Sequence, residues 1–426
     1  MTHATPARFL GSHEAIATFP FSPASTAPRR GRHAQLLQRQ LPPPRAALRA
    51  SVIIPAKNEV ANLPATLAAL AAQVDADGRP LPPDSFEVIV LANNCTDATA
   101  ALVRRQARRF PQLVLHVAEL CLPATKAHVG CARRLLMDEA CARLELMGCP
   151  GGVVASTDAD TYVAPTWLAA IQAEIAAGAD AVGGRILTEM AGAALLPLRR
   201  IQVRDAAYGQ LCARLEDLLD PALADPWPRH HQHFGASLAL TVRAYRKVGG
   251  LPEVRFLEDE ALCQALRRLD LTVRHSPLVQ VLTSARRQGR VEVGLSWQLR
   301  EWLHMSRQQR EPHVDNPAQL ATLWQARRQL RAYWNSHPVL THPALAAGLG
   351  VRAGALLART QTAATFGKLW EWALRQSRNT AVDVLPLSLA LLALPRLIKH
   401  YEFIANDLAL ISVSPASQAD SFRAVA

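Results

Sequence analysis

Short apolar runs alternate with amphipathic segments along the first half of the chain. The runs are rich in β-branched residues and have the length of buried strands; they cover residues 50–55, 86–91, 113–117, 153–157 and 180–186. Helical spacing separates them, as in Leu63, Leu67 and Leu70, and further helices are predicted over 126–146 and 165–176. This alternation predicts an α/β fold with a mostly parallel sheet flanked by helices.

Polar residues directly follow three of these predicted strands. They occupy positions 57–59 and 93–97 and the pair Asp158 and Asp160. In such sheets, ligands bind beyond the carboxyl ends of the strands, so we expect these groups to meet at one edge. On extended backbone Asp158 and Asp160 would point the same way. Their oxygens suit Mg²⁺ or Mn²⁺, whereas an Asp-rich turn is the alternative interpretation.

The pattern changes near residue 195. An amphipathic helix is predicted over 196–219, and a polar loop follows over 225–234. That loop contains His230, His231 and His233, which lack the i, i+4 spacing of a zinc-binding pair. Contact with a substrate is therefore the preferred interpretation, because functional residues concentrate on loops.

Three successive acids, Glu258, Asp259 and Glu260, begin the next predicted helix. Negative side chains favour the positive end of a helix, and that benefit accounts for one or two of them. A third acid favours a functional carboxylate. Further along, the basic segment 284–290 suits the binding of phosphate oxygens, with a solvated loop as the alternative.

The two ends of the chain differ from its centre. The first residues are rich in Pro, Ser, Ala and Arg and predict a mobile leader over 1–48, with a short helix near 33–40. The last part predicts helices over 319–334, 344–361 and 366–375. We therefore expect three parts: the leader, an α/β domain over 49–312 and a helical region over 313–426.

An apolar stretch over 381–398 is interrupted by Asp383, Pro386 and Pro395. It predicts a buried helix rather than a membrane span. The basic residues that follow it leave peripheral contact with the inner face of a membrane open; they are Arg396, Lys399 and His400.

Composition narrows the possible functions. The 426 residues carry a formal net charge of +12, but the Arg residues are dispersed over predicted helices, which disfavours nucleic-acid binding. Seven Cys without a C-x-x-C pair indicate a reducing compartment, and no secretion signal precedes the first strand, so we expect a cytoplasmic protein. No glycine-rich phosphate loop follows the first strand, which disfavours dinucleotide-dependent oxidoreductases and ordinary NTPases.

Six motifs occur in the order found in family 2 glycosyltransferases. They are Ile53-Ile54-Pro55-Ala56-Lys57-Asn58-Glu59, Asn93-Asn94-Cys95-Thr96-Asp97, Lys126 with Gly130-Cys131-Ala132-Arg133, Asp158-Ala159-Asp160, Val248-Gly249-Gly250-Leu251-Pro252 and Glu258-Asp259. The chain resembles this family over residues 50–290. The resemblance implies a GT-A fold and transfer of a sugar from a nucleotide-diphosphate donor with inversion.

The resemblance also implies residue roles. Asp259 would be the general base with Glu258 beside it, and Asp158 and Asp160 would hold Mg²⁺ or Mn²⁺. The donor-binding residues implied are Pro55, Lys57, Glu59, Asn93, Lys126, Arg133, Asp158, Arg287 and Arg290. A histidine often completes the metal site in similar enzymes, and His275 and His304 are both candidates.

One departure concerns the donor base. The family often carries Asp-Asp at the second strand tip, where this chain has Ala92 and Asn93. An Asn amide can still bond a base edge, so a UDP-sugar or a GDP-sugar is expected. The insertion 196–234 and the helical region would form the acceptor side, for a small molecule, a lipid or a polysaccharide precursor.

The chemistry of the residues agrees independently with sugar transfer. Direct displacement needs a carboxylate to take the acceptor proton and a cation to stabilise the leaving diphosphate. Two other functions stay open. A sugar nucleotidyltransferase shares a similar sheet but normally has a glycine-rich loop after its first strand, and a non-catalytic binding protein of GT-A fold would not need the three Asp.

Overall fold

Eight strands form one sheet at the centre of the computed structural model, which describes residues 31–189, 196–286, 294–376 and 383–412, with 405–412 as backbone alone. The strands are β1 (Ala50–Ala56), β2 (Phe86–Asn93), β3 (Val114–Leu120), β4 (Val153–Ser156), β5 (Thr161–Val163), β6 (Ala181–Glu189), β7 (Leu238–Thr241) and β8 (Val273–Ser284). Their order across the sheet is β3-β2-β1-β4-β7-β6-β8-β5.

The first four strands of this order are parallel. β1 pairs with β2 and with β4, so that Ile53 lies opposite both Ile89 and Ser156, and β2 pairs with β3. β6 and β8 are also parallel, whereas β7 and β5 run antiparallel to their neighbours. The predicted α/β architecture, a mostly parallel sheet flanked by helices, is confirmed.

Helices cover both faces of the sheet because the strand residues alternate in direction. The helices up to residue 307 are α1 (Arg32–Arg39), α2 (Leu63–Ala71), α3 (Thr99–Arg109), α4 (Val129–Leu146), α5 (Trp167–Ala176), α6 (Leu196–Leu219), α7 (Val242–Lys247), α8 (Glu258–Arg268) and α9 (Leu295–Arg307). Ile53 packs with Leu136 of α4 on one face. Val52 and Ile54 pack with Leu67 of α2 on the other.

Part of the predicted leader is packed rather than mobile. The short helix expected near 33–40 is α1, and Leu37, Leu41 and Leu48 are buried in the same cluster as α4. These apolar side chains explain the difference, since burying them stabilises the fold. Residues 1–30 lie outside the described residues.

Two helix boundaries differ from the predictions. α4 begins at Val129, not at 126, because His128 Nδ1 accepts the N–H of Cys131 at 3.3 Å and caps the helix. The helix predicted over 344–361 is two helices, α11 (Pro343–Gly348) and α12 (Ala353–Thr362). Gly350 between them has a φ of 67°, a left-handed conformation that interrupts a helix and suits glycine.

The region after residue 312 is helical, as predicted, and a short strand pair joins its two ends. Its other helices are α10 (Pro317–Asn335), α13 (Phe366–Gln376) and α14 (Leu387–Ser412), and β9 (His313–Asp315) pairs antiparallel with β10 (Val384–Pro386). Trp324 of α10 and Leu394 of α14 are buried against Leu215 of α6. Within the described ranges, none of the helices combines the length and the apolar character that crossing a bilayer needs.

Candidate functional site

Asp158 and Asp160 lie in a turn that connects β4 to β5. β4 ends at Ser156, and the N–H of Thr161 then donates to the Asp158 carbonyl at 3.2 Å. The extended backbone expected for the pair is therefore wrong, because the chain turns immediately after its last ladder residue. The turn still lies at the carboxyl end of β4, the predicted edge of the sheet.

Arg133 of α4 joins two of the predicted carboxylates. Its Nη2 donates to Asp158 Oδ1 at 2.8 Å, its Nε donates to Ser156 Oγ at 3.1 Å, and its Nη1 donates to Glu258. Burial lowers the pKa of Arg133, but Glu258 and Asp158 more than compensate and hold it above its ordinary value. Arg133 is therefore a fixed positive charge between the Asp turn and α8.

Gly235 lets Arg133 occupy this position. A Cβ at Gly235 would overlap the guanidinium of Arg133. The Gly235 carbonyl also accepts the hydroxyl of Ser156 at 3.0 Å. The loop that contains Gly235 is thus closely packed against both α4 and β4, and a larger residue there would displace the arginine.

Arg286 makes a second bridge at the same edge. Its Nε donates to Asp160 Oδ2 at 3.0 Å, and its Nη1 and Nη2 donate to the two oxygens of Glu59 at 3.0 and 2.8 Å. Burial raises the pKa of Asp160 to about 6, with a further contribution from Asp158 and partial relief from Arg286. Arg286 therefore joins the loop after β1 to the Asp turn.

The donor chemistry of the Asp turn fits a hard divalent cation. Carboxylate oxygens are the ligands that Mg²⁺ and Mn²⁺ prefer, and Mg²⁺ typically takes one or two carboxylates plus substrate phosphates. The side chain of Asp158 is 37% exposed and that of Asp160 is 11% exposed. In the described part of the chain, no group of three or more His, Cys, Asp or Glu side chains could hold a metal ion by itself.

Each of the three acids at the start of α8 has a different partner. Glu258 is bonded to Arg133, and burial raises its pKa while Arg133 opposes the rise. Asp259 Oδ2 accepts the N–H of Gly235 and its Oδ1 accepts the N–H of Glu260, both at 2.8 Å. Asp259 is half-buried, so its carboxylate is both oriented and accessible.

The predicted polar loop buries two of its three histidines, His230 and His233. His230 Nε2 lies 3.0 Å from the Ser276 carbonyl, and burial lowers the pKa of His230 to about 3. His233 lies between Glu260 and His275. Protein groups therefore engage both rings.

The two histidines proposed to complete the metal site are engaged elsewhere. His275 Nδ1 lies 2.7 Å from Asp225 Oδ2, and the exposed His304 has its Nε2 3.0 Å from Gln308. No hydrogen bond of the described residues joins either ring to Asp158 or Asp160. Their role at a metal site stays a prediction.

The expected nucleoside side of the site is formed by the loops after β1 and β2. The Asn58 carboxamide donates to Thr96 Oγ1 at 3.1 Å and accepts the Thr96 N–H at 2.7 Å. Asn93 is buried at the end of β2, and its side-chain oxygen has no hydrogen-bond partner among the described residues. Such an atom is costly to leave unpaired, by roughly 1–3 kcal/mol, so a ligand N–H would stabilise it.

The other predicted donor residues differ in position. Pro55 lies within β1 and is partly exposed, whereas Lys57 and Lys126 are exposed in the loops before α2 and α4. No hydrogen bond or ion pair of the described residues joins either lysine side chain to the Asp turn. Arg287 and Arg290 lie outside the described residues.

Two functional features were missed from the sequence. Arg286 contacts Asp160 and Glu59, and only its place in a basic segment could have suggested it. The loop histidine His233 bonds the third acid of α8, although 27 positions separate His233 from Glu260. Neither contact has a sequence signature, because each depends on how distant strands are ordered in the sheet.

Comparison with known proteins agrees with the motifs. The sequence model of glycosyl transferase family 2 matches residues 51–119, whereas no curated protein matches the sequence. Among solved structures, the chain is similar to the mannosyltransferase PcManGT from Pyrobaculum calidifontis in complex with GDP-Man and Mn²⁺, with 18% identity, a TM-score of 0.40 and coverage of 88% of this chain and 89% of that chain.

Two further structures show similarity at the same level. TarS 1-349 from S. aureus in complex with UDP-GlcNAc has 15% identity and a TM-score of 0.39, covering 77% of this chain and 90% of that chain. Glucosyl-3-phosphoglycerate synthase from Mycobacterium tuberculosis, in complex with Mn²⁺, UDP and phosphoglyceric acid, has 18% identity and a TM-score of 0.35, covering 66% and 84%. At such TM-scores these structures say nothing about the substrates of this chain. The family 2 model thus matches the segment from β1 to β3, residues 51–119, and shows that this part of the chain is similar to glycosyltransferases of that family.

Proposed function

We propose that this glycosyltransferase moves a sugar from a nucleotide-diphosphate donor to an acceptor hydroxyl with inversion at the anomeric carbon. One observation carries the proposal: Arg133 connects the Asp turn to the start of α8. Asp158, Glu258 and Asp259 therefore belong to one cluster, in which Glu258 is buried and the two aspartates are partly exposed. Such a cluster offers a charged site for a diphosphate beside an oriented carboxylate.

In this proposal Asp259 is the general base. The acceptor oxygen forms a bond to the anomeric carbon, the bond from that carbon to the diphosphate oxygen breaks, and the acceptor proton goes to Asp259. The N–H groups of Gly235 and Glu260 orient the carboxylate. Glu258 does not need to transfer a proton, because its bond to Arg133 gives it a positioning role.

The donor diphosphate would lie against the Asp turn. Asp158 and Asp160 would hold Mg²⁺ or Mn²⁺, which supplies positive charge for the leaving diphosphate when bound. Arg133 and Arg286 add fixed positive charge at the same edge, and arginine suits phosphate oxygens. The unpaired carboxamide oxygen of Asn93 supports contact with the base of a UDP-sugar or a GDP-sugar.

The acceptor side is proposed to be the insertion 196–234 together with the helices after residue 312. α6 of the insertion shares its core with α10 and α14, and the loop after α6 reaches Asp259 through Gly235. A wall built from two parts of the chain could exclude water from the reacting centre. A small molecule, a lipid or a polysaccharide precursor would each be compatible.

Donor binding is tested first, by thermal shift with UDP-glucose, UDP-N-acetylglucosamine and GDP-mannose, each with Mn²⁺, Mg²⁺ or EDTA. The true donor type stabilises the folded chain by mass action, and the metal should enlarge the shift. If no nucleotide sugar shifts the melting temperature, the proposal fails. Pyrophosphate release from a nucleoside triphosphate and a sugar phosphate would instead identify a nucleotidyltransferase.

Catalysis is tested with Asp259→Asn, by measuring nucleoside diphosphate release from the selected donor with water as acceptor. The variant should bind the donor normally but react roughly 10²- to 10⁴-fold more slowly, because it lacks the base. Asp160→Ala should weaken the metal-dependent part of donor binding. Asp77→Asn, on an exposed loop, is the matched control, and full turnover by Asp259→Asn would refute the assigned base.

We also propose that α14 contacts an anionic membrane surface peripherally. Leu389, Leu392 and Phe403 are 51–64% exposed, and the exposed basic residues Arg396 and Lys399 lie on the same helical face. Apolar and basic side chains on one face are typical of interfacial helices; among the described side chains of α14, the acid Glu402 pairs with Arg214. Co-sedimentation should be stronger with phosphatidylglycerol vesicles than with phosphatidylcholine vesicles, and the double substitution Arg396→Glu, Lys399→Glu should abolish that preference; equal binding to both vesicles would exclude this contact.

A further inference from the structure

A line of four side chains runs from the start of α8 into the core. Glu260 Oε2 lies 2.5 Å from His233 Nε2, His233 Nδ1 lies 3.2 Å from His275 Nε2, and His275 Nδ1 lies 2.7 Å from Asp225 Oδ2. Both histidines are buried, with 7% of each residue exposed. We refer to these four residues as the histidine array.

The array needs one more proton than two neutral imidazoles carry. Each of its three hydrogen bonds requires one proton, and a carboxylate supplies none. His233 and His275 supply two protons when neutral, so both carboxylates can be ionised only if one ring is an imidazolium.

The surroundings keep both carboxylates ionised. Burial raises the pKa of Glu260, but His233 and then Arg267 on α8 more than compensate and lower it to about 2. Burial likewise opposes ionisation of Asp225, yet His275 and Arg229 hold its pKa well below its ordinary value. The array therefore carries one positive and two negative charges.

Several charged groups surround the two imidazole rings of the array. Burial lowers the pKa of His275, with Asp225 opposing and with His233 and Arg267 adding to the effect. Among the described residues, His230 on the same loop, Arg229 and Arg274 on β8 also lie around the array, and Arg274 bonds Asp225 at 3.0 Å. β6 contacts the histidine loop at Gly183, where a Cβ would overlap the Gln232 carbonyl. At this contact β6 therefore presents no side chain to the array.

His233 and Asp259 connect the same two segments of the chain. The Asp259 carboxylate accepts N–H groups from Gly235 in the loop and from Glu260 in α8. The His233 side chain joins that loop to that helix through Glu260. The loop and α8 are thus joined at two points, one through Asp259 and one through His233. The direction of the Asp259 carboxylate therefore depends on the position of His233.

We propose that His233 is a positioning residue for sugar transfer, whose bonds to Glu260 and His275 hold the Asp259 carboxylate toward the acceptor. This inference rests on the proposed function. Without the His233 side chain, the loop and α8 are no longer joined at Glu260, the Asp259 carboxylate loses its direction and turnover falls.

The test compares His233→Ala and His233→Gln with the wild type, using nucleoside diphosphate release from the donor selected by thermal shift, with water as acceptor. His233→Ala should lower kcat roughly 10- to 100-fold, as expected for a misplaced catalytic group, while the KM for the donor changes less than about threefold. His233→Gln should restore most of the rate at neutral pH, because its carboxamide can donate to Glu260.

His116→Gln is the matched control, since His116 pairs with Glu87 at 3.4 Å within the same sheet and away from the site; its kcat and KM should equal those of the wild type. If His233→Ala does not fold, Glu260→Gln removes the charge that His233 contacts and provides the same comparison of kcat with KM. Wild-type turnover with an unchanged kcat in His233→Ala, or a loss of kcat that His233→Gln does not restore, would overturn this inference alone. A wild type without donor binding or turnover would overturn the proposed function and this inference with it.

Discussion

Glu87 is a buried carboxylate at the opposite end of the sheet from the site. It accepts bonds from Arg143 at 2.9 and 2.6 Å and from Ser51 at 2.8 Å, and His116 lies 3.4 Å away. Burial raises its pKa, but Arg143, His116 and Ser51 together lower it to about 2. An ionised Glu87 is therefore part of the folded state, and its charge is satisfied by protein groups alone.

This carboxylate should make stability depend on acid. Because its folded pKa lies below that of the unfolded chain, the unfolded chain binds the extra proton between about pH 5 and pH 2. The contribution of Glu87 is full at neutral pH, on the order of 3 kcal/mol, and is lost as the pH falls through that window. Sugar chemistry plays no part in this effect.

Glu87→Gln should reduce the free energy of unfolding at pH 7 by roughly 3–5 kcal/mol, because Arg143 stays buried without its counter-charge. The difference from the wild type should shrink as the pH approaches 3. Urea unfolding followed by circular dichroism at several pH values measures both effects. Glu145→Gln is the control, since Glu145 makes the same two-bond pair with Arg246 at an exposed position. There, a loss of at most about 1 kcal/mol in the free energy of unfolding is expected. Equal losses in both variants would contradict the role of burial.

At the scale of elements, α13 is capped by a residue from another part of the chain. Asp270 follows α8 with a φ of 53°, and its two carboxylate oxygens accept the N–H groups of Phe366 and Gly367 at 2.7 Å. Thr365 Oγ1 also donates to the Arg268 carbonyl at 2.6 Å. The start of α13 is thus fixed to the end of α8, the helix whose other end carries Asp259.

Asp270→Ala should lower the free energy of unfolding by about 1–2 kcal/mol, through loss of a helix cap and strain in the left-handed backbone. Asp270→Asn should retain most of the stability, because Asn tolerates that conformation and keeps one acceptor oxygen. Hydrogen exchange of the first turn of α13 should increase in the Ala variant only. Unchanged exchange there would show that the cap does not hold the helix.

The elements themselves could largely be predicted from the sequence. The strands around Ile53 and Ile89 were predicted because a buried parallel strand needs a continuous apolar run. The parallel-sheet rule also brought Asp158 to the correct edge. Its turn conformation was not predicted, because the end of a ladder depends on its neighbour β1.

The contacts that complete the site could not be predicted. Arg286 reaches Glu59 over 227 positions of the sequence, a pairing that follows from the strand order and from no local pattern. The three acids of α8 suggested function, but their separate partners depend on where α4 and the histidine loop lie. Residue types and spacing thus indicated the reaction class, and the structure adds the contacts that join these residues.

For the whole molecule, α6 joins the sheet to the C-terminal helices. Arg327 of α10 bonds Glu216 at 2.8 Å and Asp220 at 2.5 Å, and Arg331 bonds Asp220 at 3.1 Å. Glu216 also accepts Arg229 at 3.1 Å, and Arg229 bonds Asp225 of the histidine array. A continuous series of ion pairs therefore runs from α10 to the candidate site, which a division of the chain at residue 312 does not suggest.

The shared core predicts that the sheet and the C-terminal helices unfold together. Leu394 is fully buried between α14 and α6, whereas Leu392 on the same helix is 64% exposed. Leu394→Ala should reduce the free energy of unfolding by roughly 2–5 kcal/mol, because it removes apolar contacts and leaves a cavity. Leu392→Ala should change it by less than about 0.5 kcal/mol.

In calorimetry, Leu394→Ala should show a single unfolding transition at a lower temperature than the wild type. The temperature at which half of the donor binding is lost should fall together with that transition. A second transition that alone shifts in Leu394→Ala, while donor binding persists to the wild-type temperature, would instead make the helices after residue 312 an independently folding domain.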